Sequence, residues 1–380
     1  MDKQLPLHGG LDIAAFSRLF DDTTNSYRFL FFRSLLDCIE IGEMKPGFDG
    51  TIPLAQILKG IALNAWYPHS VFKLNFGTQD QIGRFLSALP GNVIEKLTDT
   101  SPKNKRDLYE IEIDQKALRF FKRYVPFRLL NPFFADLKRS PSTEEIPSLA
   151  YERSSLSQFA PPLYRFDSRT PSHCKNMIVD ERWLDYLRRN KPIVESWFAW
   201  NWLMYMQRRN PYTPELHMKL FRPLERESLN AQTRFWKDIM LAVAAEGNEF
   251  RCIYSGAILQ PEKISLDHFL PWSFIGHDEN WNLIPTTATV NSSKSDNLPH
   301  EGYFFSFIEN QFIALKCAKR SFQTKRFNDV FESYAIRLSI GLEEVIDTGR
   351  DRFRNAYEKT MQPLFMLAGN QNFRAGWRLQ

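Results

Sequence analysis

The sequence predicts a mainly helical α+β protein in which a small β-hairpin and one helix are embedded among larger helices. Apolar residues recur at helical spacing along most of the chain, whereas strand-like alternation is confined to short stretches. The chain has 380 residues, 43% of them hydrophobic and 14% aromatic, so it can bury more than one core. We expect a helical N-terminal recognition or partner region (1–140), a helical middle region (141–248), a polar core unit (249–300) and C-terminal helices that pack on it (301–380).

Helical periodicity is clearest in several separate stretches, namely residues 27–36, 53–66, 192–209, 224–247 and 327–338. Pro53 suits the first turn of its helix, and Gly247 is a natural residue just past a helix end. The stretch 192–209 is rich in aromatic residues. Because aromatics at helical spacing usually belong to a core, we predict that they pack inside and do not stack on bases: Trp197, Trp200, Trp202 and Tyr205.

Strand signals are few and short. Residues 108–113 alternate between apolar and polar side chains and are predicted to form a strand. Residues 264–268 and 282–284 are predicted to form two more strands, joined by a loop through Pro271 and Gly276.

A short helix is predicted directly after this hairpin. Thr286 and Thr287 are suitable N-caps for it. Asn291 and Lys294 are three positions apart on this helix, so both project from the same side. The predicted outline is therefore strand, loop, strand and helix, with the helix laid across the hairpin.

The polar residues of this unit could hydrolyse a phosphodiester. Histidine is the side chain whose ordinary pKa suits a general base near neutral pH, so His268 could take the proton from water. A divalent cation would stabilise the phosphate charge and the leaving oxygen, and the oxygens of Asp267 and Asn291 are the ligands that hard cations prefer. Lys294 could hold a phosphate oxygen as a point charge, and Asn282 is suited to bracing the hairpin and fixing the histidine.

Asp267 and His268 are adjacent on the predicted strand and should point to opposite faces. They can address one phosphate from two sides only where the strand ends or twists. Pro271, shortly afterwards, makes such an end plausible.

Residues 252–299 resemble the HNH (ββα-metal) endonucleases, most closely the HNH nuclease domain of RNA-guided CRISPR effector nucleases. The residues CIYSG at 252–256 are similar to the entry turn of that family. LDHFLPWSF at 266–274 is similar to its DH-containing strand and loop, and NSSKSDNLP at 291–299 to its metal helix and exit. The intervals between His268, Asn282 and Asn291 agree with the same pattern.

The resemblance implies a role for each of these residues. His268 would be the general base, and Asp267 and Asn291 would bind a single Mg²⁺, with Mn²⁺ as an alternative. Asn282 would position the site, and Lys294 would lie near the phosphate. The resemblance covers about an eighth of the chain. The companion nuclease domain and arginine-rich helix of the CRISPR effectors are not recognisable, so we do not expect a guide-RNA effector.

Together these observations predict a metal-dependent DNA endonuclease whose HNH ββα-metal nuclease core is the unit at 249–300. One such site cuts one strand, so a monomer should nick DNA. A standalone HNH protein with a large partner region resembles nuclease components of bacterial anti-phage defence, in which other subunits would be partners. The net charge of +5 is compatible with a polyanionic partner. Two alternatives remain open: an inactive HNH-fold DNA-binding or assembly subunit, and an RNase toxin.

A second metal is a further alternative. His277, beside Asp278 and Glu279, could contribute to such a site, although a solvated loop is favoured. The cysteines (Cys38, Cys174, Cys252 and Cys317) lie far apart without a CxxC pair, so we expect neither a disulfide framework nor a structural zinc. The chain opens without a basic-then-apolar leader and has no apolar window near the ~20 residues that span a bilayer, so we expect a cytoplasmic protein without a membrane segment.

Overall fold

The computed structural model describes residues 5–21, 23–99, 105–221, 228–345 and 347–380. The chain divides into two compact units, Met1–Pro211 with Lys219–Leu224, and Tyr212–Met218 with Glu225–Gln380. Helices predominate and the strands are short and antiparallel, which confirms the predicted mainly helical α+β class.

The first unit consists of helices around a small sheet. Its helices are α1 (Ile13–Ser17), α2 (Tyr27–Glu43), α3 (Leu54–Trp66), α4 (Ile82–Ser87), α5 (Gly91–Asp99), α6 (Lys105–Glu110), α7 (Gln115–Lys122), α8 (Val125–Arg128), α9 (Ile146–Ser155), α10 (Glu181–Arg189) and α11 (Lys191–Gln207). The sheet has three antiparallel strands, β1 (Thr51–Pro53), β2 (Tyr164–Phe166) and β3 (Asn176–Val179), with β3 in the centre. A short helix, α12 (Leu216–Lys219), follows in the chain.

The strand predicted at 108–113 is wrong, because the first half of this stretch belongs to α6 and the second half forms no strand. Tyr109, Ile111 and Ile113 are all buried, so the alternation in the sequence does reflect alternating burial. The end of a helix followed by an extended segment buries the same residues as a strand would. A period of two over so few residues therefore does not separate the two structures.

The aromatic residues of α11 lie largely in the core of the first unit, as predicted. The Trp197 ring stacks on Phe16 with a centroid distance of 5.3 Å, and Trp202 stacks on Tyr205 at 5.6 Å. Trp200 is the exception, with 51% of its surface exposed. Successive helical positions turn by about 100°, so a run this dense in aromatic residues cannot place every ring on the buried side.

The second unit contains the predicted hairpin and helix. In chain order its elements are α13 (Asn230–Ala245), β4 (Ser265–His268), α14 (Trp272–Ile275), β5 (Leu283–Thr286), α15 (Ala288–Lys294), α16 (Phe304–Ser321), α17 (Thr324–Leu338) and α18 (Arg350–Asn370). The helix predicted at 224–247 corresponds to α13, although residues 222–227 lie outside the described part of the chain. Gly247 follows it with a φ of +79°, which favours glycine.

Strands β4 and β5 pair antiparallel, with Asp267 opposite Ile284 and His268 opposite Leu283. The helix α15 begins immediately afterwards, and Thr287 caps it by accepting a hydrogen bond from the amide of Val290. The predicted strand, loop, strand and helix order is therefore confirmed.

The hairpin is buried among the helices of the second unit. The ring of Phe269, just past β4, stacks on Phe307 of α16 with centroids 4.1 Å apart. The hydroxyl of Tyr357, in α18, donates to the carbonyl of Trp281 at 3.0 Å, and the side chain of Gln311, in α16, donates to the carbonyl of Leu283 at 2.7 Å. These contacts attach the end of β4 to α16, and the start of β5 to α16 and α18. Among the described residues, no helix combines the length and apolar character needed to cross a bilayer.

Candidate functional site

The end of β4 presents two polar side chains on opposite sides of the strand. Asp267 faces α15 and the turn that contains Tyr254, whereas the ring of His268 faces the loop that contains Asp278. This arrangement follows from the alternation of side chains along a strand, because the residues are adjacent. His268 is the last residue of β4.

Asp267 is the centre of a buried polar cluster. Its Oδ1 lies 3.0 Å from Nζ of Lys294, and its Oδ2 accepts a hydrogen bond of 2.6 Å from the hydroxyl of Tyr254. The Lys294 ammonium also donates to the carbonyl of His268 at 2.7 Å. The two charged side chains are 0% and 2% exposed, so their charges are compensated mainly by each other and by these hydrogen bonds.

Tyr254 remains a donor because its environment disfavours ionisation. Burial, followed by the negative charge of Asp267, raises the pKa of this phenol well above its ordinary value. The hydroxyl therefore keeps its proton and donates a hydrogen bond to the carboxylate at any physiological pH.

Asn291 is held so that its amide oxygen is available. Its Nδ2 donates to Oγ of Ser265 at 2.9 Å and to the carbonyl of Leu266 at 3.1 Å, which joins α15 to β4. These two bonds fix which end of the amide faces the strand. Within the described part of the chain, no residue hydrogen-bonds the Oδ1 of Asn291.

Asn282 braces the loop that follows β4. It is fully buried, and lies in a short 3₁₀ turn (Asn280–Asn282) directly before β5, not in the strand itself. Its Oδ1 accepts from the amide of Leu270 and its Nδ2 donates to the carbonyl of the same residue, both at 2.9 Å. It bonds the backbone beyond His268 and not the imidazole, so any effect on the histidine is indirect.

The imidazole of His268 is bonded by a carboxylate. Its Nε2 lies 2.7 Å from Oδ1 of Asp278. Sequence reasoning considered Asp278 only as part of a second metal site with His277 and Glu279. In the described residues, no group of three or more His, Cys, Asp or Glu side chains is placed to hold a metal ion.

His277 is mostly buried and does not lie on a solvated loop. Its Nδ1 accepts a hydrogen bond from the amide of Glu279, and its ring lies beside Trp281 with centroids 5.2 Å apart. Burial, opposed by the charge of Glu279, lowers the pKa of His277 to about 4. The folded protein therefore holds this ring in its neutral form.

This shift predicts a loss of stability in acid. The unfolded chain protonates His277 below about pH 6.5, whereas the folded chain does so only near pH 4, so the free energy of unfolding should fall as the pH drops through this window. A group whose pKa differs this much between the folded and the unfolded chain lowers the free energy of unfolding by about 2 kcal/mol at pH 5 relative to neutral pH. In His277→Asn, the side-chain oxygen can replace Nδ1 as the acceptor for Glu279.

Urea unfolding of the wild type and His277→Asn at pH 7.5 and pH 5 measures this contribution. We expect the wild type to lose about 2 kcal/mol more than the variant between the two pH values. If the free energy of unfolding falls equally in the two proteins, the His277 ring does not cause the loss of stability in acid.

The donor set around Asp267 fits a hard divalent cation. A carboxylate and an amide oxygen are the ligands that Mg²⁺ and Mn²⁺ prefer. The Asn291 oxygen is available, and each oxygen of Asp267 keeps a further lone pair beside its one hydrogen bond. The Sγ of Cys252 lies 3.1 Å from Oγ1 of Thr286 in a buried contact, and Cys38, Cys174, Cys252 and Cys317 are all buried and free.

The family comparison selects the same stretch. Residues 252–300 match a family model described as HNH endonuclease. The match contains the hairpin, α15 and all five site residues predicted from the sequence. It indicates nuclease activity, which implies a nucleic-acid substrate, and HNH nucleases generally use divalent metal ions. The search of curated proteins and the search of solved structures gave no significant match.

The structure adds two site residues that sequence reasoning missed. Tyr254 bonds Asp267, and Asp278 bonds His268. Tyr254 lies within the entry turn of the resemblance, but nothing in that turn indicates where its hydroxyl points. Asp278 could have been found from the sequence, because it is an acidic residue in the loop that follows Asp267 and His268.

Proposed function

We propose that the protein is a Mg²⁺-dependent endonuclease that hydrolyses DNA phosphodiester bonds, one strand at each active site. The main support is the attachment of α15 to β4. Asn291 bonds Ser265 and Leu266, and Lys294 bonds Asp267 and the His268 carbonyl. One short helix thereby brings an amide oxygen to the strand that carries the carboxylate and the imidazole.

In the proposed reaction, His268 takes the proton from the attacking water. Nδ1 is the nitrogen suited to this step, since Nε2 is engaged by Asp278. Asp267 and Asn291 would hold the cation, which supplies charge stabilisation at the phosphate and at the leaving 3′-oxygen when bound. Asn282 holds the backbone that follows the histidine.

The ammonium of Lys294 lies in a different environment from the one predicted. A phosphate contact was expected, but the ammonium is fully buried and bonded to Asp267 and the carbonyl of His268. We propose that its main role is to fix the carboxylate and the strand end. The phosphate contact stays a prediction.

A role in bacterial anti-phage defence, with other subunits of such a system as partners, is the setting we propose. The HNH match occupies a small part of the chain, and residues 1–140, which are mainly helical where the structure describes them, are left for recognition of substrate or partner. The positive net charge of the whole chain is compatible with binding a polyanion.

A plasmid assay tests the proposal. With Mg²⁺, the full chain should convert supercoiled plasmid to the nicked circle before linear DNA accumulates, and EDTA should stop the reaction. Retardation of DNA on a gel without any cutting would instead indicate the inactive binding or assembly subunit. Cleavage of RNA in preference to DNA would indicate the RNase alternative.

A further inference from the structure

The imidazole of His268 has two unequal sides. Nε2 faces the carboxylate of Asp278 at 2.7 Å, and the two side chains are only 9% and 17% exposed. No residue in the described ranges hydrogen-bonds Nδ1 of this ring. The environment therefore distinguishes the two nitrogens, with an anion at one and none at the other.

This contact determines where the ring carries its hydrogen. An ionised carboxylate only accepts hydrogen bonds, so Nε2 must be the donor, and a neutral imidazole then has its lone pair on Nδ1. A general base needs a lone pair in a fixed direction. We propose that Asp278 is a positioning residue, which fixes the tautomer and the orientation of His268 so that Nδ1 takes the proton from water. Nε2 keeps its own proton toward Asp278 throughout.

The backbone around Asp278 is itself held in place. Gly276 ends α14 with a φ of +82°, and its amide bonds the carbonyl of Trp272 at 2.8 Å, which turns the chain toward His268. The carbonyl of Asp278 accepts a hydrogen bond of 3.0 Å from Nε2 of Gln232, in α13. Because this loop is fixed at Gly276 and again at the backbone of Asp278, it can hold the Asp278 carboxylate in one direction toward His268.

The next residue provides a second anchor. Oε2 of Glu279 accepts hydrogen bonds from the indole of Trp281 and, at 3.2 Å, from Nε of Arg337 in α17. Arg337 also bonds Oε1 of Glu215 at 2.9 Å. Gln232 and Arg337 both lie outside residues 252–300. The surrounding helices of the second unit therefore contribute to the site by setting the position of Asp278.

The test compares Asp278→Asn with a matched control. Asparagine keeps the shape of the side chain but removes the charge that selects the tautomer. Asp296→Asn makes the same change at an exposed carboxylate of the same region. Because the role of Asp278 depends on the function proposed above, plasmid nicking in Mg²⁺ is measured first for the wild-type chain, and kcat and KM are then measured for both variants.

We expect Asp278→Asn to lower kcat by about 100-fold or more, with KM changed by less than about threefold, and Asp296→Asn to match the wild type. In the His268→Ala background, Asp278→Asn should cause no further loss, because its effect acts through the ring. Two results would overturn the inference while leaving the nuclease function intact. One is a wild-type kcat in Asp278→Asn. The other is a loss on adding Asp278→Asn to His268→Ala that is as large as the loss in the wild-type background.

A spectroscopic measurement tests the same inference without catalysis. Imidazole ¹⁵N signals of the full chain, assigned to His268 by their absence in His268→Ala, report which nitrogen carries the hydrogen. At a pH where the ring is neutral, the wild type should show protonated Nε2 and bare Nδ1, and Asp278→Ala should show a mixture of tautomers. A wild-type ring protonated at Nδ1, or no change in Asp278→Ala, would overturn the inference even if the chain cuts no nucleic acid.

Discussion

DNA cleavage by a His268→Ala variant is expected to fall by at least about 100-fold in a plasmid assay. The change removes the imidazole that takes the proton from water. The fold should survive, because the ring lies at the end of β4 and its partner Asp278 stays partly exposed to water. Nicking is measured with Mg²⁺, and folding is checked by circular dichroism and the unfolding temperature.

His173→Ala is the matched control, since His173 is an exposed histidine in the other unit. It should cut DNA at the wild-type rate. Undiminished cleavage by a well-folded His268→Ala would remove the imidazole from the reaction, and the proposed general base would have to be abandoned.

The second large effect concerns stability and activity together. Asp267→Asn leaves the buried ammonium of Lys294 without its carboxylate. Removing one partner of a buried pair costs about 3–5 kcal/mol, so the urea midpoint should fall sharply. Activity should be lost as well, because an amide is a weaker ligand for a divalent cation than a carboxylate.

A double variant separates these two losses. Asp267→Asn combined with Lys294→Met removes both charges, and we expect it to recover most of the stability while cleavage stays absent. Recovery of cleavage would show that the carboxylate serves only the ion pair and is no metal ligand. Asp238→Asn is the control, because its pair with Arg326 is exposed and its loss should cost less than about 1 kcal/mol.

Much of the local structure could be predicted from the sequence because it depends on neighbours in the chain. The N-cap of Thr287 and the i,i+3 spacing of Asn291 and Lys294 are local features, and α15 formed as they predict. The stretch 108–113 shows the limit of such features. Its alternation of apolar and polar residues matches the alternating burial, but the predicted strand is wrong, and the strand pairs of the first unit that the structure describes lie elsewhere.

In the candidate site, too, some features depend on neighbours in the chain and others depend on tertiary contacts. The sequence predicts the groups of the candidate site and the order in which they occur, because the type of side chain and the spacing along one hairpin carry that information. It could not indicate that Lys294 would turn inward to Asp267, since an exposed lysine and a buried one have the same letter. Nor could it connect Tyr254 to Asp267, because only the packing of the entry turn brings the hydroxyl there.

The sequence by itself determined which groups lie on the hairpin and its following helix: a carboxylate, an imidazole and an amide oxygen. The tertiary structure alone decided what each of them faces. Asp278 reaches His268 because Gln232 and Arg337, from helices distant in the chain, hold its loop. Hydrogen bonds between such distant segments form only when burial of the surrounding apolar helices has compensated the entropy of ordering them, and no local pattern of residues specifies that outcome.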